Sequence, residues 1–187
     1  MTSVDNLWYL ASEAAQQAEQ TFHRLGDRYD DFLQFETTKH VPRHRFRTVA
    51  RRIDDNGAPY GAHTLVYRES GDLLLVRHEG VDMWVLPGGE TDGDEQFRAA
   101  AGRELREEAG ISAEYEGLGM LGRVTFVGDG HETWGVLPVF EARAEESELS
   151  VADPDDEISD AQWFAELPPD TRDREQLQRW RERRLGE

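Results

Sequence analysis

One stretch constrains this chain more than any other: Gly89 to Ile111, which reads GETDGDEQFRAAAGRELREEAGI. Pro87, Gly88 and Gly89 cannot continue a regular element and predict a turn. Asp92 followed three residues later by Glu95 has the spacing of a capping box and predicts a helix opening near Gly93. Phe97, Ala101 and Leu105 recur every four residues and form a stripe that can face a core. Gly110 stands where a left-handed C-cap belongs. Glu104, Glu107 and Glu108 are spaced i, i+3 and i+4, so their carboxylates share one helix face, with Arg103 and Arg106 expected to project away from it. Carboxylates crowded this way repel one another unless a cation sits among them. The hard-oxygen cations Mg²⁺ and Mn²⁺ suit such a set and also take phosphate oxygens. A solvated acidic face would explain any one of these glutamates, but not the glycines, arginine and aliphatic residues at fixed spacings around them.

The stretch resembles the signature of the Nudix hydrolases, written GX5EX7REUXEEXGU with U aliphatic, and every fixed position is filled. Leu86-Pro87-Gly88 resembles its usual lead-in. The resemblance implies an α/β fold, an α/β/α sandwich around a mixed sheet. It implies hydrolysis of a nucleoside diphosphate linked to another group, by attack of water at phosphorus, with metal neutralising charge and orienting the nucleophile. By motif position Glu104, Glu107 and Glu108 are the catalytic residues and the metal ligands, and Gly89 adds its carbonyl. Gly89, Glu95, Arg103 and Gly110 are structural, with Arg103 pairing with Glu95 to brace loop against helix. The general base stays open among Glu104, Glu107, Glu132 and the acids of residues 145–157. The resemblance implies a MutT-like nucleotide or ADP-sugar type substrate; Pro138 as the first proline after the box, no tyrosine beyond Tyr115, and no coenzyme A motif within Leu73–Gly88 favour a generic MutT-like nucleotide pyrophosphohydrolase. Two alternatives stand beside this: a nucleotide-sensing module of the same fold, and an RNA-processing enzyme using the basic residues 39–52.

The rest of the composition narrows the setting. The chain has 187 residues, 39 acids against 21 bases, and a net charge of -18. Lys39 is its one lysine. Such acid-rich, lysine-poor composition resembles proteins of extreme halophiles, in which salt screens the self-repulsion. The same field makes nucleic acid an unlikely partner. There is no cysteine, so disulfides and thiolate metal sites are excluded. No apolar run reaches membrane-spanning length and no signal peptide is visible, so the expectation is a cytoplasmic protein without a membrane partner.

Taken in order, residues 4–35 read as helical, with Leu7, Leu10, Ala14, Ala18, Phe22, Leu25, Tyr29, Phe32 and Leu33 at steps of three or four, and a break at Gly26-Asp27. An aromatic-rich stripe there, Tyr9 and Phe22 included, packs either on its own domain or on a second copy, with a symmetric homodimer favoured. Residues 39–52 hold five arginines, Lys39 and two histidines. Alternation of Arg43, Arg45 and Arg47 about His44 and Phe46 reads as a strand with one charged face. Residues 62–68 and 72–78 flank Glu69-Ser70-Gly71 as a hairpin. Arg77 near its end is a candidate substrate-phosphate ligand, and Trp84 and Trp134 read as core. Strands follow over 114–127 and 131–144, then an acidic loop at 145–157, a strand bearing Trp163-Phe164, and a helix over 171–185 that buries Leu177 and Trp180. The expected domains are 1–45, a helical extension with a basic linker, and 46–187, the hydrolase domain.

Overall fold

The computed structural model describes residues 3–186. In chain order the elements are α1 (Ser3–Arg28), β1 (Leu33–His40), α2 (Arg43–Asn56), β2 (Ala62–Tyr67), β3 (Leu73–His78) and β4 (Met83–Val85). They continue with β5 (Gly88–Gly89), α3 (Phe97–Ala109), β6 (Ala113–Gly128), β7 (His131–Ala144), β8 (Ile158–Phe164) and α4 (Arg174–Leu185). This is an α/β fold, a mixed sheet with flanking helices, led by an N-terminal helix. The chain divides into two compact units. The first comprises residues up to Tyr60 with Met120–Pro138; the second comprises Gly61–Gly119 with Val139 onward. The expected domain boundary at 45/46 falls inside α2.

In the first unit α1 is a single helix that runs through Gly26, where no neighbouring atom crowds the backbone. Its buried stripe is Leu7, Ala11, Ala14, Ala18 and Leu25, at helical spacing. That stripe closes on α2 and on β7 of the same unit. Thr21 Oγ1 donates to the Asn56 carbonyl at 3.1 Å, and Thr133 Oγ1 to the Ala11 carbonyl at 2.8 Å. Phe22 meets Trp134 edge to face at 6.2 Å, which places Trp134 in the core. The apolar stripe is therefore covered within its own unit. Trp8 and Tyr9, 65% and 62% exposed, lie off it.

Beside the expected break at Gly26-Asp27, two more expectations fail in this unit. Residues 33–40 are a strand, not the end of a helix: α1 stops at Arg28, Asp31 turns the chain at φ 56°, and Leu33 and Phe35 then alternate inward in parallel register with β6, from Leu33↔Met120 to His40↔Val127. Residues 43–56 are a helix, not a strand. Phe46, Val49, Ala50 and Ile53 are buried at i, i+3, i+4 and i+7, a helical period that outweighs the alternating arginines. Gly57, left-handed at φ 90°, caps it by donating to the Ile53 carbonyl.

In the second unit the strand order is β7-β2-β3-β4, with β5 on β2 and β8 on β3. The β2–β7 pairing is parallel, His63↔Val139 to Tyr67↔Arg143, and the hairpin β2–β3 and the pairs β3–β4 and β3–β8 are antiparallel. Leu105, Ala109 and Ile111 pack with Val66, Leu74, Val76, Val85 and Ile158, which docks α3 on this sheet. Burying Leu105 alone stabilises the unit by roughly 2 kcal/mol. α4 buries Leu177 and Trp180, and the Trp180 indole donates to Glu141 at 2.8 Å. Among the described residues no helix is long and apolar enough to cross a membrane.

Candidate active site

The site begins at the turn that β4 enters. The Thr64 N–H donates to the Pro87 carbonyl at 2.9 Å, and Gly88 and Gly89 pair with His63 and Ala62 of β2. Here backbone meets backbone: a side chain on Gly61 would overlap the Gly89 carbonyl, and Gly61 is left-handed at φ 70°. A methyl on Gly89 would stand 2.6 Å from Glu104 Oε1, so the absent side chain lets that carboxylate lie against the turn. The Gly88 N–H donates to Glu108 Oε2 at 2.9 Å. Gly88 thus holds Glu108, and Gly89 leaves room for Glu104.

α3 begins at Phe97, four residues later than the capping-box spacing predicts. Glu95 does reach back, accepting the Asp92 N–H at 3.1 Å, but it does so in a turn before the helix, because Arg103 claims its carboxylate. Arg103 donates from Nε to Glu95 Oε2 at 3.1 Å and from Nη2 to Glu95 Oε1 at 2.9 Å and the Glu90 carbonyl at 3.0 Å. From Nη1 it reaches Glu104 Oε1 at 3.0 Å and Glu107 Oε2 at 3.3 Å. Arg103 therefore does not project away from the carboxylate face as expected. Its long side chain folds back across the helix and sits between Glu104 and Glu107. Gly110, at φ 71°, closes α3 by donating to the Arg106 carbonyl at 3.0 Å.

Burial grades the three carboxylates. Glu108 is 6% exposed, and the side chains of Glu104 and Glu107 are 12% and 30% exposed. Desolvation pushes the Glu108 carboxyl up to about 9; the Gly88 N–H opposes this, while Glu104, Asp153 and Glu157 add to it. Glu104 is also raised by burial, with Arg103 pulling it back. Asp153 was not singled out by sequence reasoning beyond its place in the acidic loop. Two backbone bonds lay that loop on the end of α3, Ser150 N–H to the Ala109 carbonyl at 2.8 Å and Ala152 N–H to the Glu107 carbonyl at 3.0 Å. Three backbone N–H groups, of Asp155, Glu157 and Ile158, then fix the Asp153 carboxylate.

The sequence profile described as NUDIX domain matches residues 58–180, well over half of the chain. The chain belongs to the Nudix family. A protein of Bacillus subtilis (strain 168) named "Putative 8-oxo-dGTP diphosphatase" is 36% identical over 91 residues, 48% of this chain and 61% of that protein. A "MutT-like protein" of Streptomyces ambofaciens is 41% identical over 54 residues, 29% of this chain and 35% of that protein. The chain thus spans less than two thirds of the length of either relative. A solved structure described as a UDP-X diphosphatase superposes with a TM-score of 0.52 at 18% identity, covering 90% of this chain and 71% of that one; the likeness is one of fold.

Nudix hydrolases generally use divalent metals, and the donor set here fits one in chemistry. It is all carboxyl and carbonyl oxygen, and two of its members are raised by burial, a penalty on the charged form that a cation relieves. Among the described residues no three acids converge on a common centre, and the guanidinium of Arg103 stands between Glu104 and Glu107. Arg77 is engaged elsewhere: it pairs with Asp82 and, from Nη1, with Asp170 at 2.5 Å, 5.9 Å from the Trp84 ring centroid. A phosphate there would have to displace a carboxylate. Glu132 lies in the first unit, on β7.

Proposed function

We propose that this Nudix protein is a divalent-metal-dependent pyrophosphohydrolase that cleaves the phosphoanhydride of a nucleoside diphosphate derivative by attack of water at phosphorus. One observation carries the reading: Glu108 accepts the Gly88 N–H and Glu104 lies against Gly89, while Glu107 of the same helix is joined to Glu104 through Arg103. Glu104, Glu107 and Glu108, with the Gly89 carbonyl, would hold Mg²⁺ or Mn²⁺. When bound, the metal neutralises phosphate oxygens and lowers the pKa of water.

The chain's own residues set the stage for that chemistry. The Gly88 N–H fixes Glu108 and the Gly89 backbone shapes the space for Glu104, so neither carboxylate must reorganise when charge develops. Arg103 anchors the loop through Glu95 and the Glu90 carbonyl and screens Glu104 from Glu107. Glu107 is the most exposed of the three, which supports it as the base that takes a proton from water. Asp153 adds a further negative charge whose field reaches Glu104 and Glu108.

The names of the relatives support a nucleotide substrate of the MutT type, a nucleoside triphosphate, with ADP-sugars as the second class to test. The experiment is a panel of nucleoside triphosphates, nucleoside diphosphates and ADP-sugars with Mg²⁺ or Mn²⁺ in high salt, the products read by ³¹P NMR. Metal-dependent release of pyrophosphate or of a nucleoside monophosphate supports the reading. Tight nucleotide binding without turnover across the panel would replace it with a sensing module.

A further inference from the structure

The far side of α3 carries a second cluster that the hydrolase reading does not use. Gly102 is two positions from Glu104, which places it about 200° round the helix, on the opposite face. Glycine inside a helix is unfavourable. At this one the space left by the side chain is ringed by three polar groups. A methyl there would lie 3.5 Å from Arg98 Nη1, 3.6 Å from Arg106 Nη1 and 3.8 Å from the Tyr115 hydroxyl. The two guanidinium nitrogens are therefore no more than about 7 Å apart.

Like charges at that range repel, and a chain with 39 acids offers many ways to neutralise them. Arg68, Arg77, Arg103, Arg143 and Arg184 all pair with carboxylates. Neither Arg98 nor Arg106 makes an ion pair among the described residues. Arg98 is instead held in place by stacking on Tyr115, its guanidinium carbon 3.5 Å from the ring centroid. Tyr115 is held by Thr64, hydroxyl to hydroxyl at 2.7 Å. Where Thr64 donates that bond, the Tyr115 proton is left to donate outward. Burial raises the phenol's pKa, and the charges of both arginines act against that rise. The outcome is three polar groups gathered over buried Gly102, two of them charged and exposed.

We propose that Arg98, Arg106 and Tyr115 form an oxyanion site over Gly102, for a phosphate group bridged by the two guanidiniums. Two N–H···O bonds of about 2.8 Å to oxygens of one tetrahedral ion span such a gap, and arginine is the residue suited to that contact. The site lies on the face opposite the Nudix carboxylates and does not rest on the hydrolase reading. Its ligand is either free phosphate or the phosphate of a larger molecule.

The test titrates inorganic phosphate into metal-free protein in EDTA by calorimetry, at an ionic strength held constant with KCl. Saturable binding that chloride does not reproduce is expected. It should weaken at least tenfold in Arg98→Gln and in Arg106→Gln, and persist in Glu108→Gln and in Arg45→Gln, an exposed arginine of α2. Should Arg98→Gln unfold through loss of its stack on Tyr115, Arg106→Gln decides alone, since its side chain is exposed and makes no ion pair. Unchanged affinity in Arg106→Gln, or a wild type that does not distinguish phosphate from chloride, overturns the proposal. A parallel titration with glycerol phosphate separates the sources: tighter ester binding assigns a larger ligand, tighter inorganic phosphate the free ion.

Discussion

Replacing Glu108 by glutamine should make the metal-free protein more stable at neutral pH. The Glu108 carboxyl is buried and pushed up to about 9 from an ordinary 4.5, mainly by desolvation. Between those two values the native state keeps a proton that the unfolded chain has lost, so stability falls as pH rises across that window. At pH 7 the cost is about 1.4 kcal/mol for each of roughly 2.5 pH units above 4.5, or ~3 kcal/mol, reduced by whatever water reaches the site. Glutamine keeps the shape, still accepts the Gly88 N–H, and carries no charge. Urea unfolding in EDTA at fixed KCl should give the variant an advantage of under ~1 kcal/mol at pH 5, ~3 kcal/mol at pH 7 and more at pH 9. Adding Mg²⁺ should then stabilise the wild type and leave the variant behind. A variant less stable than wild type at pH 7 in EDTA, or an advantage that does not change with pH, would refute this picture of Glu108.

Other outcomes follow from the same geometry. Glu107→Gln should keep the fold and lose turnover by on the order of 10²-fold or more, the scale of one lost electrostatic contact to a reacting phosphate; steady-state kinetics beside circular dichroism checks both. Gly61→Ala should destabilise by roughly 1–3 kcal/mol, because it meets the Gly89 carbonyl and requires φ 70°; denaturant midpoints measure it. The excess of 39 acids over 21 bases should make the thermal midpoint climb as KCl rises into the molar range, and a midpoint indifferent to salt argues against a halophilic protein.

The sequence made the chemistry of α3 legible because its glycines and glutamates act through spacing, and spacing survives folding. It hid what depends on reach and on distant partners. Helix geometry sends Arg103 away from Glu104, yet a guanidinium on a long stem spans Glu95, Glu104 and Glu107 together. Nothing in a chain with 39 acids marks Glu108 as the dry one; only the Gly88 N–H and the packing of α3 do so. Residues 43–56 carried two periods at once, arginines every second residue and Phe46, Val49, Ala50 and Ile53 at helical steps. Burial follows the apolar set, so the apolar period decides the element. Asp153 looked like one more acid in a loop until two backbone bonds laid that loop on α3. Tyr115, Arg98 and Thr64 come from three elements, and only the fold brings them together.

The most direct measurement follows one oxygen atom. Nucleoside triphosphate and ADP-sugar are each incubated with enzyme in H₂¹⁸O, with Mg²⁺, with Mn²⁺ or with EDTA, and the products are read by mass spectrometry for wild type and Glu108→Gln. The account predicts ¹⁸O in a phosphate product of at least one substrate, only when metal is present, and little or none from Glu108→Gln. Equal incorporation in EDTA, or full incorporation by Glu108→Gln, would contradict it.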